Sequence, residues 1–207
     1  MALIARAGVA WVLFGAAVAA VGLGGGILGG GRTFLALAGL GGALLVLFLP
    51  FFRDPERAVG MGVVAPADGK VLVIQEEGRN VRIGTFMNVT DVHVNRTPLG
   101  GYLVRIDDIS GPRNPAYSSS AGKNARKRYL FGTPVGVMEV IQITGIVARR
   151  CQPFHSPGRG YRKGERFGMI LFGSRVDVLL PRERVQVRVH LGERVWAGTS
   201  TLADLRP

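Results

Sequence analysis

Two charge-free apolar runs at the start of the chain decide its layout. Residues 9–28 (VAWVLFGAAVAAVGLGGGIL) and 34–52 (FLALAGLGGALLVLFLPFF) are each close to the ~20 residues that cross a bilayer core as a helix. Only residues 29–33, with the single charge of Arg32, separate them, so the spacing predicts a helical hairpin that enters and returns. Small residues are frequent in both runs and let two membrane helices approach closely. A signal peptide competes for the first run, because residues 1–6 give a basic start, but no small-residue cleavage site precedes a hydrophilic mature start. A re-entrant or interfacial anchor is the other alternative. Arg6 lies before the pair, Arg53 and Arg57 follow it, and the far side carries only Arg32, so the positive-inside bias places both ends in the cytoplasm.

Charge is segregated accordingly. The first 52 residues hold Arg6 and Arg32 and no acid, which leaves +10 of the formal +12 on residues 53–207. Such a surface suits an anionic partner, and beside a bilayer an acidic lipid is the more economical one. No Lys/Arg run interleaved with aromatics speaks for nucleic acid, so none is expected as a partner. The single Cys151 excludes an intramolecular disulfide, fits a reducing compartment and reads as a small buried hydrophobe.

Residues 53–207 read as mainly β. Candidate strands are 62–65, 70–75, 80–86, 101–109, 135–143, 146–150, 167–171, 175–180 and 184–190, with Gly, Pro or Asn at most breaks. In VQVRVH, Val185, Val187 and Val189 share one face while Gln186, Arg188 and His190 share the other. Residues 111–133 are polar, basic and rich in Ser, Gly and Pro, and read as a long surface loop of the kind that forms lids or binding elements. The expected architecture is a compact β-sandwich or barrel-like domain, 53–207, behind a membrane-anchoring hairpin, 1–52.

One apolar stretch is oddly interrupted. In GMILFGSRVDVLLP (168–181), Gly173, Ser174 and Arg175 break a run of Met, Ile, Leu, Phe and Val. The plain reading is a β-bulge or tight turn. The other reading is chemical: a hydroxyl held against the preceding carbonyl gains the effective concentration of an intramolecular nucleophile and can cut the chain.

Three further stretches accompany it. VVAPADGKV (63–71) places Asp68 in a Pro-Ala-Asp-Gly turn, FMNVTDVHVNRTPLGG (86–101) places His93 before a Pro-Leu-Gly-Gly turn, and FFRDPER (51–57) follows the second apolar run. With YRKGERFGMILFGSRVDVLLP (161–181), in this order from about residue 45 onward, the set resembles the short, two-helix bacterial form of the phosphatidylserine decarboxylase family; archaetidylserine decarboxylases share the pattern. The resemblance implies a proenzyme cut between Gly173 and Ser174 into 1–173 and 174–207, which stay associated. It also implies a covalent pyruvoyl cofactor derived from Ser174. Such a ketone would condense with the substrate amine and take up the electrons left by carbon dioxide, as a pyridoxal cofactor does. No metal is implied, and His93, His155 and His190 are scattered. The implied partners are a phospholipid substrate and the inner, cytoplasmic membrane, and a homo-oligomer is left open.

The resemblance makes His93 the proton-transfer group and Asp68 the carboxylate that orients its ring. Without it, His93 reads as a structural histidine and Asp68 as a turn-former. Long-form relatives carry a second His three residues on, where this chain has Arg96. A guanidinium is always charged and is no base, which leaves open whether His93 serves cleavage, decarboxylation or both. Arg149 and Arg150 match a basic pair in the family and, with Arg96, are expected at the headgroup phosphate or carboxylate; a solvated strand end is the alternative. His155 is expected in a loop, and Arg53 and Arg57 against lipid phosphates. The remaining alternative from another class is a non-enzymatic, membrane-tethered β-domain, like a biotinyl or lipoyl carrier, that binds anionic lipid.

Overall fold

The computed structural model describes residues 4–5, 8–29, 31–146, 150–171 and 174–206. They form two compact units, Met1–Glu56 and Arg57–Pro207.

The first unit is a helical hairpin of α1 (Val9–Ile27) and α2 (Arg32–Phe51). Both helices are long and apolar enough to cross a membrane. They pack closely where a glycine of one helix meets an alanine of the other. A Cβ on Gly22 would lie 2.2 Å from the Ala38 nitrogen, and one on Gly41 would lie 2.2 Å from the Ala19 nitrogen, so only glycine permits this approach. Pro50 sits in the last turn of α2, and Ala5 N–H donates to the Phe52 carbonyl at 2.8 Å.

The second unit contains three antiparallel sheets. In chain order its strands are β1 (Val63–Val64), β2 (Gly69–Glu77), β3 (Asn80–Met87), β4 (Val94–Arg96), β5 (Gly101–Ile109), β6 (Arg126–Thr133) and β7 (Gly136–Thr144). There follow β8 (Cys151–Pro153), β9 (Arg159–Tyr161), β10 (Arg166–Ile170), β11 (Ser174–Pro181), β12 (Val185–Val187), β13 (Arg194–Val195) and β14 (Thr201–Leu205). The large sheet runs β13-β2-β3-β11-β7-β6-β5-β9, and the smaller ones run β4-β10-β8 and β1-β14-β12.

One core is shared by all three. Val71, Ile83, Leu103, Phe131, Val140, Val176 and Val178 come from the large sheet, Phe167 and Ile170 from β10, and Val185, Leu202 and Ala203 from the third sheet. Phe167 sits at its centre, edge-on to Tyr129 at 4.9 Å and to Phe131 at 6.0 Å. The expectation of a mainly β domain behind an apolar helical hairpin is therefore met.

β11 is buried on both faces, which explains its apolar sequence. Val176, Val178 and Leu180 face the shared core, while Leu179 joins Ile141 and Ile143 on the other face. Arg175 and Asp177 share that second face and pair through two contacts of 2.6 Å. Arg82 adds Nη1 to Asp177 at 2.7 Å and forks onto Glu77. A Cβ on Gly84, opposite Asp177, would lie 2.6 Å from its Oδ1.

Two sequence expectations are corrected. Residues 111–133 are a surface excursion only as far as 125, carrying one short 3-10 turn at Ser119–Lys123; from Arg126 they form β6. Two of the basic residues there pair across the ladder, because Arg128 lies opposite Asp107 and Lys127 opposite Asp108, and both pairs form salt bridges. The strand expected at 146–150 is also absent from its described residues: β7 ends at Thr144, residues 147–149 lie outside the description, and pairing resumes at Cys151. The last expected strand stops at Val187, although Val189 stays buried and Arg188 and His190 exposed, so the alternation holds.

Replacing Asp177 with Ala would leave two guanidinium groups facing one another without their shared carboxylate. Asp177→Ala is expected to cost about 3–5 kcal/mol, read as a lowered unfolding midpoint of the detergent-solubilised chain in urea.

Candidate active site

Ser174 is the first residue of β11 and is fully buried. Its neighbours across the ladder are Met87 in β3 and Thr144 in β7. The parity of β11 turns its side chain toward the shared core, where Oγ donates to the Met87 sulfur at 3.4 Å. A second donor meets the same sulfur, Nδ2 of Asn95 in β4, at 3.7 Å. Behind Asn95 stand Gln142 of β7, whose Nε2 donates to Asn95 Oδ1 at 2.7 Å, and Tyr129 of β6, whose hydroxyl donates to Gln142 Oε1 at 2.7 Å. Burial holds the Tyr129 phenol well above the usual tyrosine range, with the thiol of Cys151 adding to the effect.

His93 precedes β4 and is fully buried. Its carbonyl accepts from Ile170 N–H at 3.2 Å, which ties it to the end of β10, four residues before Ser174. Its Nδ1 lies 2.8 Å from the Asp91 carbonyl. A carbonyl can only accept, so Nδ1 carries the proton and the lone pair of the neutral ring is on Nε2. Asp91 is fixed in turn: its carboxylate caps the Asn88 N–H at 2.7 Å and pairs with Arg194 of β13.

Among the described residues, the Asp68 carboxylate is bonded to groups other than His93. It takes both nitrogens of Arg57 and accepts the Ala197 N–H at 2.8 Å. This corrects the reading of Arg57 as a lipid contact, since its guanidinium is largely buried and committed to Asp68 and the Ala197 carbonyl. Arg53 donates to the Pro50 carbonyl at the end of α2. Arg96, expected at the headgroup, is buried, and its Nη1 donates to the Gly164 carbonyl at 3.1 Å, bracing the turn before β10. Gly173 and Arg149 lie outside the described residues.

Arg150 is exposed and lines a groove of about 480 Å³ together with Arg126, Lys127, Cys151 and Thr144, the ladder partner of Ser174. Its carbonyl accepts from Leu171 N–H, so the basic loop and the segment before Ser174 are joined. His155 is exposed in the loop after β8, as expected. A second groove, of about 950 Å³, lies on the Arg175–Asp177 face of the sheet.

Sequence reasoning missed Asp91, Met87, Asn95, Gln142 and Tyr129. Two of them leave a trace. Asn95 shares the parity of His93 two residues earlier, and Gln142 is an isolated amide in the apolar run VIQI.

Cys151 packs against the core with its thiol 3.6 Å from the Gln142 carbonyl. Burial pushes that thiol up to about 12 from 9.0, with Lys127 opposing in part. The native thiol keeps its proton between those values while an unfolded one loses it, so this group removes stability as pH rises through that window. At pH 8 the thiolate fraction falls from about one in ten to about one in ten thousand. Iodoacetamide is therefore expected to label Cys151 at least about 100-fold faster in denaturant than in the native chain, as followed by intact mass.

Residues 44–203 match the family model described as phosphatidylserine decarboxylase. The phosphatidylserine decarboxylase proenzyme of Streptomyces coelicolor is 42% identical over 204 residues, covering 96% of this chain and 91% of the relative. That of Thermobifida fusca is 41% identical over 176 residues, 84% of this chain and 80% of the relative. A Methanosarcina mazei protein, provisionally named an archaetidylserine decarboxylase proenzyme, is 37% identical over 173 residues, with 82% and 81% covered. With the match spanning the hairpin's end and nearly all of the β unit, this chain belongs to the phosphatidylserine decarboxylase family.

Proposed function

We propose that the chain is a self-processing, membrane-anchored decarboxylase that converts phosphatidylserine to phosphatidylethanolamine. The observation that carries this reading is the buried Ser174 hydroxyl at the head of a central strand, close in sequence to the segment tied to His93. Family membership and the PADG, DVHVNR and GS motifs support it.

The processing step belongs to the chain's own atoms. Ser174 Oγ attacks the carbonyl of Gly173, the peptide C–N bond breaks, and an ester links the two residues. Loss of the Ser174 α-proton then expels the Gly173 carboxylate and leaves a dehydroalanine; water adds, ammonia departs, and a ketone remains on the 34-residue piece 174–207. Nε2 of His93, which carries the ring's lone pair because Nδ1 faces the Asp91 carbonyl, is the group that accepts and returns protons. Asp68 serves by locking Arg57 and the Ala197 turn.

The surroundings suit a residue converted in this way. Ser174 is enclosed by Met87 and the apolar core, which keeps bulk water from a reactive carbonyl. The domain reading is 1–52 as anchor and 53–207 as catalytic unit. After the cut, 174–207 supplies β11 to the middle of the large sheet, β13 to its edge, and β12 and β14 to the third sheet, so the two pieces stay together through ladders on every side. The pyruvoyl group supplies an electrophilic carbonyl that stores the electron pair released with carbon dioxide. Arg150, beside Lys127 and Arg126 in the groove that starts at Thr144, holds the headgroup phosphate or carboxylate, and Arg149 is assigned to the same task. The two apolar helices keep the site at the surface where a two-tailed lipid resides, with both ends of the hairpin in the cytoplasm.

Purified enzyme is expected to show two chains, and borohydride with phosphatidylserine should trap an adduct on the 34-residue piece. Ser174→Ala should remain a single 22.1 kDa chain that releases no carbon dioxide. An uncut wild-type chain would instead favour the tethered binding module. His93→Ala should slow cleavage, decarboxylation or both by at least about 100-fold; normal rates for both would remove His93 from the mechanism.

A further inference from the structure

Nucleophile and base leave a buried line of polar groups unexplained. Tyr129, Gln142, Asn95, Met87 and Ser174 are all fully buried and come from β6, β7, β4, β3 and β11. Apolar side chains of similar volume would fill these positions without any polar desolvation cost, so stability alone gives no reason for two amides and a phenol here.

The line has a direction. An amide can turn end for end, and a buried pair of amides fixes neither by itself. Met87 breaks that symmetry, because a thioether can only accept and so draws the NH₂ of Asn95, and Tyr129 completes the line at its other end. The Tyr129 phenol donates to Gln142 Oε1 at 2.7 Å, and Gln142 Nε2 donates to Asn95 Oδ1 at 2.7 Å. The Asn95 NH₂ thus lies 3.7 Å from the sulfur that also receives the Ser174 hydroxyl at 3.4 Å. Burial keeps the phenol protonated, so the orientation does not lapse with pH. Space is provided for it: a Cβ on Gly168 would lie 3.2 Å from Gln142 Nε2 and 3.3 Å from the Tyr129 oxygen.

Sulfur is the apt acceptor at the end. A thioether accepts weakly, so it fixes the hydroxyl's direction without holding its proton against a base.

We propose that Asn95, braced by Gln142 and Tyr129, is a positioning residue for self-cleavage, holding the Met87 thioether where it aims the Ser174 hydroxyl. This rests on the reading of Ser174 as the cleavage nucleophile. Asn95 exchanges no proton and touches no substrate; it acts through Met87. Because the line joins β4, in a small sheet, to four strands of the large one, the hydroxyl is aimed only once those sheets have docked. Cutting thereby waits for a completed fold.

The test follows cutting of the full-length chain by denaturing electrophoresis after pulse labelling, with thermal melts beside it. Tyr129→Phe removes one oxygen from a filled site and is expected to slow cutting about 10-fold, and Asn95→Leu and Met87→Leu about 100-fold, as for misplacement of a reacting group by about 1 Å. Met87→Gln, which restores an acceptor at similar reach, should recover most of the rate, which a purely structural role would not produce. Uncut chain should resist neutral hydroxylamine, placing the block before the ester. Folded variants that cut at the wild-type rate, a Met87→Gln no faster than Met87→Leu, or uncut chain that hydroxylamine cleaves would each overturn the assignment. If the Leu variants fail to melt cooperatively, Tyr129→Phe decides the matter, and cutting at wild-type speed in that variant overturns the assignment. A wild-type chain that is never cut, or a Ser174→Ala chain that is, would overturn the parent reading instead.

Discussion

The hydrogen-bonded ladder that holds β11 between β3 and β7 is the constraint on which the rest depends. It extends from Ser174 to Pro181 on one side and from Ser174 to Leu179 on the other, so the proposed nucleophile is the first rung of a doubly paired strand. That placement buries the hydroxyl, selects Met87 and Thr144 as its neighbours, and leaves the segment before it tied to His93 and Arg150 through Ile170 and Leu171. A site on a free loop would have none of these fixed relations.

The charged cluster on the second face of β11 takes on meaning from this. Buried ion pairs are a weak source of stability, since desolvation offsets most of the attraction. Their position is what counts. A slip of one residue in β11 would bring Arg175 and Asp177 into the apolar core and turn Ser174 away from Met87, because side chains alternate along a strand. The Arg82, Arg175, Asp177 and Glu77 contacts make that slip costly and so hold Ser174 to one face.

Much of this is readable along the chain, and the exceptions share a cause. The apolar hairpin and strands such as β2, β3 and β11 declare themselves through uninterrupted or alternating hydrophobicity, which is local. β6 does not, because Lys127 and Arg128 look solvated until Asp107 and Asp108 are placed across from them. Ser174 and His93 stand out through motifs. The hydrogen-bond partners that Asp68 has in the fold, Arg57 and the Ala197 amide, are eleven and 129 residues away and come beside it only after folding, so no local pattern announces them. Asn95, Gln142 and Tyr129 are ordinary strand residues by themselves, and only the register of separate strands lines them up.

The distribution of the last 34 residues over two sheets has a consequence for the life of the molecule. While the backbone is continuous, strands β11 to β14 meet their partners at the high local concentration a tether guarantees. Severed at the proposed site, the same arrangement would become a complex of two polypeptides whose reunion, if ever lost, would be a second-order event between sticky fragments. A chain cut in this way would have one good opportunity to assemble, before the cut, and its later persistence would be a matter of slow escape instead of reversible refolding.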